Sequence, residues 1–239
     1  MPLWISHRGY QQEAVENTRE AFRAAVAHGF TALETDLRLT RDEHIVLVHD
    51  VDLRRLCGLA EPVARLTRKE LEAIELADGR HFFFLDQFVR EFAGSTWTFD
   101  VKGETGAETL RSLAAWAKGQ ALTDWIVAQA RFLTWKRGHE QLLHELFPKA
   151  VTYARQSECW RAGLAVLAGR SRWGGLQRGR TYAVPPRWRG RSLFTPEVAA
   201  TYHAQGARVL AFLPGSEAEA RAATAAGFDE ILTDGRIIS

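Results

Sequence analysis

The chain has few cysteines and no long apolar run. Its 239 residues include two cysteines, Cys57 and Cys159, far apart in the sequence. This number excludes a disulfide framework as the main source of stability and indicates a reducing compartment. No apolar stretch approaches the roughly 18 to 20 residues that a membrane span needs. The first residues also lack the basic region and apolar segment of a secretory signal. We therefore predict a cytoplasmic protein with no integral membrane segment.

The chain also lacks a strong excess of charge of one sign. With 31 Lys and Arg against 29 Asp and Glu, the net charge of +2 requires no polyanionic partner, and we predict no nucleic-acid partner. One exception is the segment from Arg170 to Arg191, where seven arginines lie among Trp173, Tyr182 and Trp188. Such a mixture can bind single-stranded nucleic acid. We favour a loop whose arginines are solvated or stack on tryptophan; another possibility is that one arginine reaches a substrate phosphate.

The order of apolar segments indicates an α/β protein. Hydrophobic residues make up 46% and charged residues 25%, as in ordinary globular proteins, and the length suits a single domain over residues 1–239. Strand-like runs alternate with amphipathic runs, which is typical of a parallel sheet. The predicted strands are Leu3–Ser6, Ala32–Leu37, Ile45–Val48, Thr96–Val101, Arg131–Trp135, Ala150–Ala154, Thr181–Val184, Arg208–Leu213 and Glu230–Thr233. The clearest predicted helices are Thr18–His28, Ala107–Lys118, Pro196–Ala204 and Glu217–Ala226, with left-handed C-caps at Gly29, Gly119, Gly206 and Gly227. We predict a (β/α)8 TIM-type barrel.

The nine predicted strands are one more than an eight-stranded barrel needs. Between Leu37 and Ile45 there is no room for the helix that a parallel crossover requires, so residues 40–44 are predicted to form a hairpin turn. The barrel would then carry a β-hairpin extension after strand 2. A turn centred between residues 42 and 43 would place His49 opposite Asp36. Because strand side chains alternate with period two, Glu34, Asp36 and His49 would share one face.

Polar side chains cluster at the ends of four predicted strands. They are His7 and Arg8, Glu34 and Asp36, His49 and Asp50, and Asp100 and Lys102. A single residue of this kind would be an ordinary loop or cap residue, but the whole set would be costly to bury unpaired. In barrels, the carboxyl ends of the strands carry the active site. We therefore expect one site built from these residues.

The residue types indicate metal-assisted phosphoryl transfer. Glu34, Asp36 and Asp100 offer oxygen ligands without cysteine, which suits one divalent cation, Mg²⁺ or Ca²⁺. Arg8 offers a planar fork to two phosphate oxygens, and Lys102 offers a point charge. Two histidines can act as acid and base near neutral pH.

The motifs resemble those of the glycerophosphodiester phosphodiesterase family. The resemblance is most specific in the first fifty residues and looser over the rest of the chain. In order, the matching residues are His7-Arg8-Gly9, Glu16-Asn17-Thr18, Ala21-Phe22, Gly29, Glu34-Thr35-Asp36, Thr40-x-Asp42, His49-Asp50, Asp100-Val101-Lys102 and Gly227 to Asp234.

The resemblance implies both a reaction and a set of roles. The reaction is metal-dependent hydrolysis of a small glycerophosphodiester to sn-glycerol 3-phosphate and an alcohol. His7 and His49 match the general acid and base, Arg8 and Lys102 the phosphate-binding residues. Glu34, Asp36 and Asp100 match the metal ligands, and Asn17 and Thr18 are expected to start the first helix.

Two departures from the family pattern concern the metal and the substrate. Asp100 stands where a longer Glu is common, which implies a metal that sits deeper or binds more weakly. Thr134-Trp135 lies in the place of a Ser-Phe pair at the barrel mouth, which bears on the identity of the substrate. For Trp135 we favour core packing over a wall of the alcohol pocket. Two other functions stay open: a lipid phosphodiesterase similar to phospholipase D or sphingomyelinase D, and a barrel that binds phosphorylated metabolites without turning them over. The sequence does not determine the oligomeric state.

Overall fold

The computed structural model describes residues 1–237, which form two compact units. The first comprises Met1–His7 and the chain from Thr152 onward, and the second comprises Arg8–Val151. The strands are β1 Leu3–His7, β2 Ala32–Leu39, β3 Ile45–Leu47, β4 Asp52–Leu53, β5 Leu59–Pro62, β6 Thr96–Val101, β7 Ala130–Thr134, β8 Val151–Thr152, β9 Thr181–Val184, β10 Arg187–Trp188, β11 Arg191–Ser192, β12 Arg208–Phe212 and β13 Glu230–Thr233. The helices are α1 Arg19–Ala27, α2 Arg54–Cys57, α3 Arg68–Glu72, α4 Leu85–Glu91, α5 Gly106–Gly119, α6 Thr123–Gln129, α7 Arg137–Leu146, α8 Gln156–Leu167, α9 Pro196–His203 and α10 Glu217–Ala225, with 3₁₀ turns at Val63–Arg65 and Ser171–Trp173.

The sheet of the second unit is centred on β2, whose residues are all buried. Strand β6 runs parallel to it, with Ala32 opposite Thr96 and Asp36 opposite Asp100, and β7 continues the sheet beyond β6. Because residues opposite each other in a parallel pair point to the same side of the sheet, this register brings Asp36 and Asp100 together.

Aromatic packing determines which face of β6 points to the site. Trp97 and Phe99 stack at a ring distance of 5.6 Å, and Phe88 of α4 contacts both rings. Phe22 of α1 packs edge-on against Phe88 at 4.8 Å. Since side chains alternate along a strand, burying residues 97 and 99 against the helices turns Asp100 to the opposite face.

The hairpin exists, but its predicted register is wrong by one residue. Strand β3 is antiparallel to β2 with Leu37 opposite Leu47, so position 36 lies opposite 48 and not 49. Thr40 and His44 are joined by a loop of three residues, and the Thr40 N–H donates a hydrogen bond to the His44 carbonyl. The last residue of this loop, Glu43, is left-handed with φ 63°. Strand β3 ends at Leu47, so His49 belongs to the following loop.

The first unit contains the parallel strands β9, β12, β13 and β1, in that order of pairing. Helices α9 and α10 follow capping rules: Thr195 and Ser216 each accept a hydrogen bond from a backbone N–H of the first turn. Both helices end before a left-handed glycine, Gly206 or Gly227, as the sequence predicts.

Three of the four predicted left-handed glycines at helix ends are confirmed. Gly29, Gly206 and Gly227 have positive φ, but Gly119 is the last residue of α5, and the left-handed residue is Ala121 with φ 58°. The predicted strand Ala150–Ala154 is formed only at Val151–Thr152. Among the described residues, no helix combines the length and apolarity needed to cross a membrane.

Candidate active site

Three carboxylates form the centre of the candidate site. Glu34 and Asp36 lie on β2 and Asp100 on β6, all buried, and one oxygen of each lies within 4.8 Å of the others. The sequence predicts these three as metal ligands, and the structure brings them together.

Asp36 is surrounded by donors. Its Oδ1 lies 2.6 Å from Lys102 Nζ, while its Oδ2 accepts from Asn17 Nδ2 at 2.8 Å and lies 3.0 Å from Arg8 Nε. Asn17 is held in turn by the hydroxyl of Thr35 at 2.8 Å. Burial alone would raise the pKa of Asp36, but the charges of Lys102 and Arg8 outweigh it and lower that pKa. Asp36 is therefore a carboxylate held in its charged form.

Asp100 has a different environment. Lys102 Nζ lies 2.5 Å from its Oδ2, and the indole N–H of Trp135 donates to its Oδ1 at 2.7 Å. Burial and the neighbouring Asp36 charge raise its pKa although Lys102 opposes them. Trp135 is 44% exposed, so the expectation that it packs in the core is wrong.

This cluster fits a hard divalent cation. The donors are oxygen atoms only, as Mg²⁺ and Ca²⁺ prefer. Asp36 Oδ1 is contacted by the Lys102 ammonium at 2.6 Å, and a carboxylate oxygen has a second lone pair that can bind a cation. Metal binding requires all three carboxylates to be ionised. With Arg8 and Lys102 counted, the five groups then carry −3 + 2 = −1, so a dication brings the sum to +1. That sum complements the single negative charge of a phosphodiester.

Arg8 is fixed by a tight turn. It is left-handed with φ 57°, and its backbone N–H donates to both Glu34 O at 3.0 Å and Glu34 Oε2 at 3.1 Å. Gly9 follows with φ 86°, and a Cβ there would lie 2.6 Å from the backbone of Ala21. The Arg8 guanidinium lies 3.1 Å from Glu16 Oε1. The His-Arg-Gly motif thus needs glycine because α1 approaches the turn closely.

His49 is held through its backbone and its ring. The Arg38 guanidinium donates twice to the His49 carbonyl, at 2.9 and 2.7 Å, and once to Glu104 at 3.0 Å. The ring Nδ1 lies 2.8 Å from Asp50 Oδ1. With Nδ1 occupied, Nε2 is the nitrogen left for a substrate.

An ion-pair network supports Asp50 in turn. Arg55 donates to Asp50 Oδ2 at 2.6 Å and to Glu16 at 2.7 Å. An open cleft of about 520 Å³ lies at this network, and its lining residues are Arg38, His49, Asp50, Val51, Asp52, Arg54, Arg55 and Glu104.

His7 belongs to the first unit, where it ends β1. Its Nδ1 lies 2.6 Å from Oδ1 of Asp234, which directly follows β13. Asp234 is half exposed, with a side-chain exposure of 53%. Each of the two histidines thus presents Nδ1 to an aspartate close to a strand end.

Sequence reasoning missed several partners of these residues. Arg38, Arg55 and Glu104 are long side chains on neighbouring elements, and no local spacing indicated them. Asp234 could have been found, because it directly follows a predicted strand, as His7 does.

Comparison with known proteins covers nearly the whole chain. The family described as "Glycerophosphoryl diester phosphodiesterase family" matches residues 7–236. Lysophospholipase D GDPD1 of Rattus norvegicus is 45% identical over 67 residues, which are 28% of this chain and 21% of that protein. The probable glycerophosphodiester phosphodiesterase 1 of Mycobacterium tuberculosis is 38% identical over 74 residues, 31% of this chain and 27% of that protein. The chain therefore matches less than two thirds of these relatives' length.

Solved structures establish the fold. The glycerophosphoryl diester phosphodiesterase domain of Rv2277c from Mycobacterium tuberculosis has a TM-score of 0.80 at 14% identity, over 98% of this chain and 96% of that one. A glycerophosphodiester phosphodiesterase from Agrobacterium tumefaciens has a TM-score of 0.75 at 18% identity, with the same coverage. They confirm the predicted TIM-type barrel, to which β3 adds the expected hairpin. On the family match, the chain belongs to the glycerophosphoryl diester phosphodiesterase family of phosphoric diester hydrolases.

Proposed function

We propose that this protein hydrolyses glycerophosphodiesters to sn-glycerol 3-phosphate and an alcohol, with one bound Mg²⁺ or Ca²⁺. The observation that carries the proposal is the buried cluster of Glu34, Asp36 and Asp100 beside the cations Arg8 and Lys102. Membership of a phosphodiesterase family supports it.

Glu34, Asp36 and Asp100 would hold the metal, and Arg8 and Lys102 would hold the phosphate. A bound dication would supply Lewis-acid polarisation of the phosphoryl oxygens. Arg8 would orient two of those oxygens through its planar guanidinium, and Lys102 would add a second positive charge. Their ion pairs with Asp36 fix both cations before substrate arrives, so little reorganisation is needed on binding.

The two histidines would move the protons. One would take a proton from the attacking nucleophile at its Nε2, and the other would protonate the leaving alkoxide; the nucleophile is either water or a substrate hydroxyl whose cyclic product water then opens. Asp50 and Asp234 lie beside the two Nδ1 atoms, which favours the tautomer that carries its proton on Nδ1. The assignment of His7 and His49 to one reaction rests on their motifs, His-Arg-Gly and His-Asp.

The test is release of glycerol 3-phosphate from glycerophosphocholine, glycerophosphoethanolamine and glycerophosphoglycerol with Mg²⁺, with Ca²⁺ and with chelator. We expect metal-dependent release and a loss of turnover of about 10²- to 10⁴-fold in His7→Ala and in His49→Ala. His44→Ala is the control, because His44 lies in the exposed hairpin turn. Near-normal activity in either test variant would contradict the mechanism. A folded protein that binds these diesters without product would indicate a binding protein.

A lysophospholipid is a second candidate substrate. Curated relatives are named Lysophospholipase D, and the exposed ring of Trp135 lies beside Asp100, where it could contact an apolar or cationic alcohol. Assays with lysophosphatidylcholine separate the two candidates. Release of choline from it, with no activity on water-soluble diesters, would favour the lipid reaction.

We also propose that the chain folds as a single barrel domain, that nucleic acid is not its partner, and that it acts in the cytoplasm. The two free cysteines accord with a reducing compartment.

A further inference from the structure

Helix α8 has an unusually apolar outer face. Trp160, Leu164 and Leu167 recur at i, i+4 and i+7 and are 48%, 52% and 46% exposed. The opposite face of the same helix packs inward through Glu158 and Ala162. Single exposed leucines need no explanation, but three large apolar side chains on one stripe indicate a surface that contacts something.

Two neighbouring segments extend this face. Trp173, in the 3₁₀ turn after α8, is 82% exposed, and Gly174 behind it packs against the backbone of Ala162 and the side chain of Ala165. On the other side, Trp188 of the β10–β11 hairpin contacts Trp160 edge-on at 5.2 Å. We call the surface made by Trp160, Leu164, Leu167, Trp173 and Trp188 the tryptophan surface.

The chain around the tryptophan surface is strongly basic. Residues 159–196 contain eight arginines, no lysine and no acidic residue, so their charge is +8 while the rest of the chain carries 2 − 8 = −6. Arg180 and Arg187 pair with glutamates. Five others are exposed and form no ion pair within residues 1–237: Arg170, Arg172, Arg178, Arg189 and Arg191.

We propose that the tryptophan surface and its arginines bind the surface of an anionic lipid bilayer. A basic segment with exposed tryptophan and leucine is the composition of interfacial membrane-binding helices. Tryptophan and leucine enter the headgroup region, while arginine side chains pair with lipid phosphates and carboxylates. The proposal is independent of the catalytic mechanism, because it uses only residues of this segment.

Two other occupants fit less well. Nucleic acid would use the arginines and stack on the tryptophans, but it gives Leu164 and Leu167 no apolar partner. A second copy bound through the same surface would bring unpaired arginines against each other, because a two-fold interface is self-complementary. A bilayer satisfies both the apolar stripe and the positive charge.

The experiment is cosedimentation of the whole protein with vesicles of phosphatidylcholine alone and of phosphatidylcholine mixed with phosphatidylserine, at low and high salt. We expect binding to the mixed vesicles, weakened by salt, and little to the neutral ones. Leu164→Ser/Leu167→Ser/Trp173→Ser should lower the partition coefficient roughly tenfold or more, because large apolar contacts are lost. Val26→Ser/Val151→Ser is the control, since both valines are exposed elsewhere.

A charge-matched pair of variants tests the arginines. Arg172→Gln/Arg189→Gln/Arg191→Gln should weaken binding by roughly fivefold per arginine. Arg23→Gln/Arg41→Gln/Arg221→Gln changes the net charge equally, but those arginines pair with glutamates elsewhere, and it should bind as the parent does. Thermal unfolding followed by circular dichroism confirms that each variant is folded.

The same assays can overturn the proposal. Absence of binding by the parent protein, equal loss in the matched variants, or equal binding to neutral vesicles would each contradict it. Tighter binding of a single-stranded oligonucleotide than of mixed vesicles would assign the surface to nucleic acid. Self-association in sedimentation, lost in the Leu164→Ser/Leu167→Ser/Trp173→Ser variant and without vesicle binding, would assign it to a second copy.

Discussion

Asp100 divides its two carboxylate oxygens between two donors. The Trp135 indole occupies Oδ1, and the Lys102 ammonium contacts Oδ2. Asp100 is shorter than the Glu of the family pattern described above. It is held by Trp135, which also departs from that pattern. The two departures noted in the sequence are therefore in contact, and Trp135 orients a proposed metal ligand.

Trp135→Phe should weaken metal binding. Phenylalanine retains an aromatic ring beside Asp100 but removes the N–H, so Asp100 loses a fixed orientation. We expect a loss of affinity for Mg²⁺ or Ca²⁺ of about 10- to 100-fold, measured directly by titration calorimetry. Trp173→Phe, in the exposed 3₁₀ turn, is the control. Equal affinity in Trp135→Phe and the parent would show that the indole does not orient this ligand.

Asp50→Asn should lower turnover without impairing substrate binding. The asparagine amide can donate to Nδ1 of His49, which would place the proton on Nε2 and remove the base. We expect kcat to fall about 10²-fold or more with KM nearly unchanged, and the pH profile of kcat to change. Asp52→Asn is the control because Asp52 lines the same cleft but does not contact the ring. A change in KM alone would point to a role in substrate binding instead.

At this scale, the sequence predicted the three clustered carboxylates better than the side chains that hold His49 and Asp50. Glu34, Asp36 and Asp100 were identified because strand ends can be located from hydrophobic patterning alone. Arg38 and Arg55 were not, since their contacts to His49 and Asp50 depend on where long side chains reach across loops. Such contacts are set by tertiary packing and have no fixed sequence spacing.

The tight turn after β1 shows how one element constrains another. Gly9 combines a left-handed φ with close contact to α1, so alanine there has two costs. We expect Gly9→Ala to lower the free energy of unfolding by about 3 kcal/mol or more, the sum of left-handed strain and overpacking. Urea unfolding at equilibrium measures this.

Gly79→Ala separates the two costs. Gly79 has a similar φ of 79° but nothing within 4 Å of an added Cβ. Only the conformational strain remains there, and we expect a loss of about 1 kcal/mol. Equal losses in the two variants would mean that α1 moves to accept the methyl group.

Buried strands were easier to predict than turns and very short strands. Strands Thr96–Val101, Thr181–Val184 and Glu230–Thr233 match the sequence prediction at both ends because buried apolar runs define them. The hairpin register failed because Glu43 adopts a left-handed conformation that glycine or asparagine usually signals. The hairpin β10–β11 was missed since its strands have only two residues each.

At the scale of the whole molecule, the small net charge is the sum of unevenly distributed charges, and charged residues are concentrated in two separate places. The basic segment 159–196 carries +8, and the proposed metal cluster gathers three carboxylates with two cations. The cluster costs more stability, because its three carboxylates and Lys102 are buried and their charges depend on one another. A bound dication should therefore stabilise the fold as well as support the reaction.

Metal should raise the melting temperature, and Glu34→Gln should remove most of that rise. At a concentration of 100 times the dissociation constant, a bound ion adds about 2.7 kcal/mol to the free energy of unfolding. For a chain of this size that corresponds to a rise of roughly 5 to 10 °C. Glutamine can still accept the N–H of Arg8, so this variant loses a ligand charge while it keeps the turn. Calorimetric melts with Mg²⁺, with Ca²⁺ and with chelator measure the effect, and Glu140→Gln is the control because Glu140 is buried outside the cluster. An equal rise in Glu34→Gln and the parent would place the ion elsewhere, whereas a rise lost only in Glu34→Gln would tie stability and the proposed chemistry to the same three carboxylates.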